Sequence, residues 1–304
     1  MNKKIKTKMK RTFLILSVLF FSFSLSAQMG ARPPQSRVET KTIHSKVLNA
    51  ERDYSIFLPK SYDTDVNRKY PILYLFHGMG GVNTSWFRDQ RAKEVADQLI
   101  ASGEACEMII VSPNAGGNIN EGAWNGYFDM PGWKYETFFF TEFLPHIETT
   151  YRVIGNKQHR AVAGLSMGGG GATSYAQRHS DMFIAAYAMS ALMDIPEFGG
   201  PQPPQQNPDD KMAILTKSVK EQSCNKYVTN ADDARKNQLR SVKWFVDCGD
   251  DDFLLDANIQ FTQAMRAAQI PCEFRVRDGG HTSEYWHSAL YICLPYVTRC
   301  FYVK

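Results

Sequence analysis

The most constraining feature of this chain is the run from Ala161 to Gly171, AVAGLSMGGGG, which contains the pattern G-x-S-x-G around Ser166. Its first residues suit a buried strand, and the residues after it can continue as a helix. Ser166 would then lie on the sharp turn between strand and helix, with its Oγ pushed out of the sheet. Glycine is needed at 164 and 168 because side chains at these positions would collide across the turn. Helix propensity alone would disfavour the four consecutive glycines. The alternative is a glycine-rich turn that merely contains a serine, so the residues that could accompany Ser166 decide between the two.

A serine hydroxyl becomes a nucleophile when a general base accepts its proton and an acid orients that base. Of the histidines that follow Ser166, His281 is best placed, because two glycines after a predicted strand let the backbone turn its ring toward the serine. His179 would lie near the end of the helix that follows Ser166, and His287 within the last helix.

The acid is expected directly after the strand predicted at 242–246, where several aspartates compete. Spacing alone does not choose among them, and one of Asp250, Asp251 and Asp252 is also expected simply to cap the next helix. The candidates are Asp247, Asp250, Asp251, Asp252 and Asp256.

Outside this region, strand and helix patterns alternate. The continuous apolar runs at 70–76 and 107–113 are typical of strands buried on both faces of a sheet, and helical spacing follows at 91–102. Strands at 38–47 and 54–58 would form the edge of the sheet. This order predicts an α/β fold with a mostly parallel central sheet and helices on both faces. The remaining predicted elements are helices over 133–151, 253–268 and 283–301 and strands over 183–189, 242–246 and 272–277.

Residues 1–27 predict a signal peptide that ends near Gln28. Six positive residues precede an apolar run from Phe13 to Leu25 and the small pair Ser26-Ala27. A membrane anchor is disfavoured, because the run is shorter than the roughly 20 residues of a spanning helix. We therefore expect a secreted or periplasmic protein with no stable membrane association after cleavage.

The predicted domains are the signal peptide at 1–27, a linker at 28–37 and one catalytic domain at 38–304. Within that domain, residues 196–240 break the alternation with a proline-rich segment and then polar helical sequence, which we interpret as an insertion over the site of Ser166.

Charge and cysteine spacing exclude several other classes of function. Loss of the leader removes six positive charges and no negative ones, which turns the formal net charge of +4 into −2, so nucleic acid is not an implied partner. The six cysteines permit disulfides in an exported chain, but their spacing does not reveal a pairing. No C-x-x-C or H-E-x-x-H spacing occurs, so neither a metal site nor a cofactor is predicted.

The segments 164–169 and 248–254, together with Gly280-His281 and Trp286, resemble the esterase D-type α/β-hydrolases. That group includes the carbohydrate esterases of family 1 (feruloyl and acetylxylan esterases), the S-formylglutathione hydrolases and the mycolyltransferases. The resemblance covers about residues 38–301 and implies an α/β-hydrolase fold. It also implies that the acid is Asp252, three residues after the glycine that ends the strand, with Asp251 as the runner-up.

Two backbone N–H groups are needed to stabilise the oxyanion of the tetrahedral intermediate. Met167, next to the nucleophile, would supply one, and Met79 would supply the other by resemblance and by its position after the first buried strand. A phosphate-binding loop at 77–81 is the alternative, but neither G-x-G-x-x-G nor a Walker lysine is present. The candidates for an aromatic substrate wall, with Trp124 and Trp286 as the predicted substrate-binding residues, are Trp86, Trp124, Tyr127, Trp133 and Trp286.

Together these patterns predict an exported serine esterase that needs no cofactor. Ser166 would attack an ester carbonyl, His281 would transfer the proton, Asp252 would orient His281, and water would release the acyl-enzyme. The resemblance favours feruloyl or acetyl esters of xylan, as small esters or on the polysaccharide, over siderophore esters. The predicted leader disfavours S-formylglutathione, because that substrate is cytosolic. A hydrolase-fold binding protein that has lost catalysis is disfavoured because all three triad positions are filled.

Overall fold

The computed structural model describes residues 34–195, 207 and 209–302. The predicted signal peptide, the predicted linker up to residue 33, and positions 196–206 and 208 of the predicted insertion lie outside the described residues. The residues from Ser36 onward form one compact unit.

Eight strands form one mixed sheet, in the order β1-β2-β4-β3-β7-β8-β9-β10. The pairs β1/β2 and β2/β4 are antiparallel, and the other neighbours are parallel. The predicted mostly parallel sheet is confirmed, and β1 lies at its edge as expected. The strands, which include a separate two-stranded hairpin of β5 and β6, are β1 Arg37–Ser45, β2 Ala50–Leu58, β3 Ile72–Phe76, β4 Ile109–Pro113, β5 Asp129–Met130, β6 Trp133–Lys134, β7 Arg160–Leu165, β8 Ala185–Met189, β9 Lys243–Gly249 and β10 Cys272–Arg277.

Helices connect most of the parallel strands. In the part of the chain that the structure describes, none is both long and apolar enough to cross a membrane. The helices are α1 Ser85–Arg88, α2 Ala92–Ser102, α3 Tyr135–Phe138, α4 Leu144–Thr150, α5 Met167–Arg178, α6 Lys211–Glu221, α7 Cys224–Thr229, α8 Asp233–Arg240, α9 Leu255–Ala267 and α10 Ser283–Tyr302, with a π-helical turn at Phe139–Phe143 and 3-10 turns at Lys60–Asp63, Ile119–Glu121 and Lys157–His159.

Helices cover both faces of the sheet, so its central strands are buried on both sides. Because side chains alternate along a strand, Tyr74 and Phe76 of β3 join the core on the face covered by α5 and α9. Leu73 and Leu75 join the core on the opposite face, which α2 and α10 cover. This double burial explains why the strands are continuous apolar runs in the sequence.

The predicted continuous helix over 133–151 is wrong at its start. Trp133 pairs with Met130 in the β5–β6 hairpin, whose turn contains Gly132 at a positive φ of 79°. The helical segment begins at Tyr135, where the Asp129 carboxylate accepts a hydrogen bond from the Thr137 backbone N–H (3.0 Å). The sequence does contain a signal for this turn, the dipeptide Pro131-Gly132, which a prediction based on aromatic spacing alone overlooks.

All six cysteines lie within the described residues, and each is a free thiol. Four are buried, whereas Cys106 and Cys272 are partly buried. Burial raises the pKa of the Cys224 thiol and of the Cys272 thiol to about 12, and that of Cys300 to about 11. At neutral pH these thiols are therefore protonated and poorly nucleophilic.

Candidate active site

Ser166 lies on the turn between β7 and α5, as the sequence predicts. Its backbone adopts φ 54° and ψ −122°, a strained conformation for a residue with a side chain. Three backbone hydrogen bonds hold it there: its N–H donates to Met189 (2.9 Å), and its carbonyl accepts from Gly170 (3.1 Å) and Leu192 (2.9 Å). The hydroxyl thus has a fixed position at the carboxyl end of the sheet.

The glycines around Ser166 are required because main chains come into direct contact there. A Cβ at Gly164 would collide with the Gly168 carbonyl oxygen, and a Cβ at Gly168 would collide with the carbonyls of Phe76 and His77. The glycines therefore let the start of α5 pack directly against the backbone of the neighbouring strands and loops.

The structure brings Ser166, His281 and Asp252 into one hydrogen-bonded line. His281 Nε2 lies 3.0 Å from Ser166 Oγ, and His281 Nδ1 lies 2.9 Å and 3.1 Å from the two Asp252 carboxylate oxygens. The three side chains come from the ends of the parallel strands β7, β9 and β10, which meet at the same edge of the sheet. This arrangement has the geometry by which a serine is activated by a histidine base.

Asp252 contacts the histidine, whereas the neighbouring aspartates do not. Its side chain is buried, and burial raises its pKa, but hydrogen bonds from His281, Ser190 and the Leu254 backbone N–H outweigh this and hold the pKa below its ordinary value. Asp250 and Asp251 are exposed, and the Asp250 carboxylate accepts from the Gly279 N–H (3.0 Å). The geometry therefore favours Asp252 over the runner-up as the orienting acid.

A buried carboxylate joins the sheet to the helix that follows the histidine loop. Asp247 of β9, fully buried, accepts hydrogen bonds from Tyr187 (2.7 Å), Tyr285 (2.5 Å) and the Arg277 guanidinium (3.3 Å). Arg277 also donates to the Tyr285 carbonyl (3.0 Å). Because β10 and α10 flank the loop that carries His281, these contacts fix both of its ends. In the sequence, Asp247 was one of several candidates for the catalytic acid, and no pattern revealed its structural role.

The two residues predicted to form the oxyanion hole both line the cavity in front of Ser166. Met167 is the first residue of α5, and its N–H belongs to the first helical turn, where N–H groups have no intrahelical acceptor. Met79 lies in the loop after β3, beside the serine. Their proximity to Ser166 is compatible with the predicted role, which stays a prediction.

His77 orients this loop, a role that the sequence analysis did not identify. The Ala115 N–H donates to His77 Nε2 (3.0 Å), so the ring hydrogen is on Nδ1, which donates to the Gly78 carbonyl (2.8 Å). The C=O and N–H of a trans peptide point in opposite directions, so the Met79 N–H faces away from His77. The Gly78 carbonyl also accepts from the Gly81 N–H (3.1 Å), so the His77 ring and this turn together set the direction of the Met79 donor.

A cavity of about 470 Å³ opens in front of the serine. Two aromatic rings in its wall lie beside the His281 imidazole: Trp286 is edge-on to it (centroids 4.9 Å, 90°), and the ring of Phe253, a residue that is 56% exposed, lies 4.5 Å away. Trp286 thus lines the cavity, and its predicted role in substrate binding stays a prediction, while Phe253 was not predicted as a site residue. The other lining residues are His77, Gly78, Met79, Gly80, Gly81, Ser85, Asp89, Gln90, Leu165, Ser166, Met167, Leu192, Leu254, His281 and Ser283.

Trp124, the first choice for the substrate wall, is not among the residues that line this cavity. It stacks on Trp133 (centroids 6.5 Å), and the Lys211 ammonium lies 5.1 Å from its ring. The described residues of the predicted insertion, 207 and 209–240, do not line the cavity either; α7 packs against α5 and α9 instead. Trp124 is therefore held by the core and by α6. The interpretation that the insertion covers the site stays a prediction, since its proline-rich part lies outside the described residues.

Gln90 is a polar residue of the cavity wall with an unmet hydrogen-bonding capacity. Its side chain is 4% exposed, and Nε2 donates to Ser283 Oγ (3.1 Å). Its Oε1 is buried and has no hydrogen-bond partner. An unpaired buried acceptor costs stability unless a ligand or water supplies a donor.

No group of three or more metal-ligating side chains occurs among the described residues.

A family described as "Putative esterase" matches residues 45–296 of this chain. A solved structure of a ferulic acid esterase is 68% identical, with a TM-score of 0.85 over 88% of this chain and 99% of that one. An endo-1,4-beta-xylanase/feruloyl esterase of Xylanibacter ruminicola is 31% identical over 149 residues, which are 48% of this chain and 20% of that protein. The chain therefore matches only a fifth of the length of that curated relative.

A fluorophosphonate-binding serine hydrolase of Staphylococcus aureus shares the fold, with 20% identity and a TM-score of 0.70 over 87% of this chain and 99% of that one. Together with the mostly parallel sheet, these similarities confirm the predicted α/β-hydrolase fold.

Acidification is expected to destabilise the protein through His77. Burial lowers the pKa of His77 from 6.5 to about 4, so below pH 6.5 the unfolded chain binds a proton that the folded protein excludes. Stability then falls as the pH falls toward 4, by on the order of 2 kcal/mol at pH 5. Urea unfolding at pH 7 and pH 5 measures this loss. The control is His77→Gln, which does not titrate and should lose less stability over the same interval; an equal loss would contradict the assignment to His77.

Proposed function

Because this chain belongs to the esterase family whose pattern spans residues 45–296, we propose that it hydrolyses carboxylic esters with Ser166 as the nucleophile. The observation that carries the proposal is the hydrogen-bonded line from Ser166 through His281 to Asp252, which opens onto the cavity. His281 acts as the general base, and Asp252 orients it and stabilises its positive charge.

The reaction proceeds in two halves. Ser166 Oγ attacks the ester carbonyl carbon while its proton passes to His281 Nε2, and the N–H groups of Met167 and Met79 stabilise the oxyanion. His281 then donates the proton to the departing alcohol, which leaves an acyl-enzyme on Ser166. In the second half, water replaces the alcohol: His281 takes its proton, the hydroxide attacks the acyl carbon, and Ser166 recovers its hydrogen.

The substrates of this proposal are feruloyl or acetyl esters of plant xylan. Support comes from the 68% identity with a ferulic acid esterase and from the partial match to a xylanase/feruloyl esterase. Phe253, Leu192 and Trp286 give the cavity an apolar wall for an aromatic acyl group.

Removal of any triad residue is expected to abolish ester hydrolysis. Ser166→Ala and His281→Ala should each lower kcat/KM for 4-nitrophenyl acetate by roughly 10³-fold or more, because triad members act as a unit. Asp252→Asn should cost about 10²- to 10⁴-fold. The matched control is Asp251→Asn, an exposed neighbour whose substitution should leave kcat nearly unchanged. A larger loss of kcat for Asp251→Asn than for Asp252→Asn would assign the role of the acid to Asp251. Wild-type turnover in Ser166→Ala would refute the assignment of Ser166 as the nucleophile.

The substrate class is tested with methyl ferulate, acetylated xylan, 4-nitrophenyl acetate, S-formylglutathione and a siderophore ester. The highest kcat/KM is expected for methyl ferulate or acetylated xylan. A preference for the siderophore ester or for S-formylglutathione would contradict the polysaccharide substrate. If none of the five compounds is hydrolysed, the alternative of a hydrolase-fold binding protein is favoured instead.

We also propose that the enzyme is exported, which the charged and apolar leader at 1–27 supports. Cleavage should place the mature N-terminus near Gln28, because the charged, apolar and small-residue regions all end there. N-terminal sequencing of protein from the native host measures this, and an intact Met1 would refute it.

A further inference from the structure

The last strand of the sheet, β10, has one edge that no strand of the described residues covers. It pairs in parallel with β9, on one side only. On that side the Arg277 carbonyl accepts from the Asp250 N–H (3.1 Å). Because the backbone groups of successive residues in a strand point to opposite sides, those of Phe274 and Val276 point away from β9. Their N–H and C=O groups therefore form an open edge, which is a template for pairing with another strand.

The side chains at this edge include exposed apolar groups. Phe274 is 38% exposed and Val276 is 43% exposed, and both lie on the same face of the sheet as Cys272, which packs against the core beneath α9. The opposite edge of the sheet, β1, differs, because its exposed central residues are Thr40, Lys41 and Thr42. Polar and charged residues of this kind protect a strand edge that faces solvent. The apolar side chains of β10 instead indicate an edge that is covered.

The charges of β10 complement those of a second copy of the same strand. Glu273 and Arg275 are exposed on the face opposite Phe274, and neither forms an ion pair with another described residue. In an antiparallel pair of two β10 strands with a twofold axis at Phe274, each Glu273 lies opposite Arg275 of the partner subunit. The neighbouring symmetric registers, with Glu273 or Arg275 on the axis, place like charges opposite each other, which is unfavourable. The charge pattern therefore selects one register.

The backbone is satisfied in the same register. Because the N–H and C=O groups of Phe274 point outward, the two copies of Phe274 form a hydrogen-bonded pair across the axis, with their rings side by side. Cys272 likewise exchanges hydrogen bonds with Val276 of the partner subunit. Glu273 and Arg275 then fall in non-hydrogen-bonded pairs, in which the side chains of opposite residues are closer together.

We propose that two copies of this chain associate through β10, by antiparallel pairing of the two strands with Phe274 at the twofold axis. The two sheets then become one continuous sheet, in which the open edges, the exposed apolar side chains and the unpaired charges of both strands find partners. Because the pairing is antiparallel, the carboxyl ends of the parallel strands point in opposite directions in the two copies. The two cavities in front of Ser166 therefore open at opposite edges of the joined sheet. The dimer does not depend on the proposed ester hydrolysis.

The experiment measures the dimer dissociation constant by sedimentation, with the chain from Gln28 onward that remains after loss of the predicted leader. The wild type should form a dimer at micromolar concentrations. Arg275→Glu places two carboxylates opposite each other at both ends of the pair, and Glu273→Arg places two guanidinium groups there, so each should raise Kd by roughly 10-fold or more. The double variant Glu273→Arg/Arg275→Glu restores opposite charges and should return Kd close to the wild-type value. A wild type that stays monomeric, or a double variant no tighter than the single ones, would overturn the proposal.

The matched control is Lys41→Glu, which reverses one exposed charge on the other edge strand and should leave Kd unchanged. An increase equal to that of Arg275→Glu would contradict an interface at β10. Neither Glu273 nor Arg275 lines the cavity, so the variants should keep the wild-type circular dichroism and, if the chain is an esterase, the wild-type hydrolysis of 4-nitrophenyl acetate.

Hydrogen exchange of the wild type keeps the proposal testable if the charge variants do not fold. The backbone N–H groups of Phe274 and Val276 should be protected at high protein concentration and should exchange faster on dilution, because dilution dissociates the dimer. Protection that does not depend on concentration would mean that another segment of the same chain covers the edge, and rapid exchange at every concentration would mean that nothing does. Either result would overturn the dimer.

Discussion

The close approach of main chains around Ser166 is the constraint on which the rest of the site depends. Strand β7, the loop after β3 and the segment after β8 all contact the turn or the first residues of α5 without an intervening side chain. The contacts that enforce the backbone angles of Ser166 also place the N-terminus of α5, the positive end of its dipole, where negative charge develops in the proposed reaction. Backbone strain at the proposed nucleophile and the proposed stabilisation of the oxyanion therefore have one structural origin.

Directional hydrogen bonds add a second level of order, because several groups at the site can only donate or only accept. A backbone N–H fixes the tautomer of His77, and His77 in turn fixes a peptide plane of the loop after β3. On the other side of the cavity, the Trp286 indole N–H donates to Ser190 Oγ (3.1 Å), and the Trp286 ring lies edge-on to His281. In both cases hydrogen bonds of a neutral side chain join the scaffold to a group that lines the cavity.

The sequence predicted the elements whose signals are local. The strands around Ser166, the glycine-rich turn and the loop that carries His281 have strong local patterns, and their positions agree with the structure. Sequence spacing alone could not choose between Asp251 and Asp252, because the choice depends on which carboxylate turns inward after β9. Trp124 was placed in the substrate wall because it lies in a glycine-rich loop, but stacking against Trp133 determines its position. Gln90 had no sequence signal, because its place in the cavity wall is set by tertiary packing.

The six unpaired thiols have a consequence for how such a chain can be made. Its two buried cores, on opposite faces of an eight-stranded sheet, hold the fold together without a covalent cross-link. Folding to this structure consequently requires no oxidant and no disulfide isomerase. The same native state is accessible in a reducing cytosol and in an oxidising environment, and most of the thiols are shielded from solvent oxidants in either one.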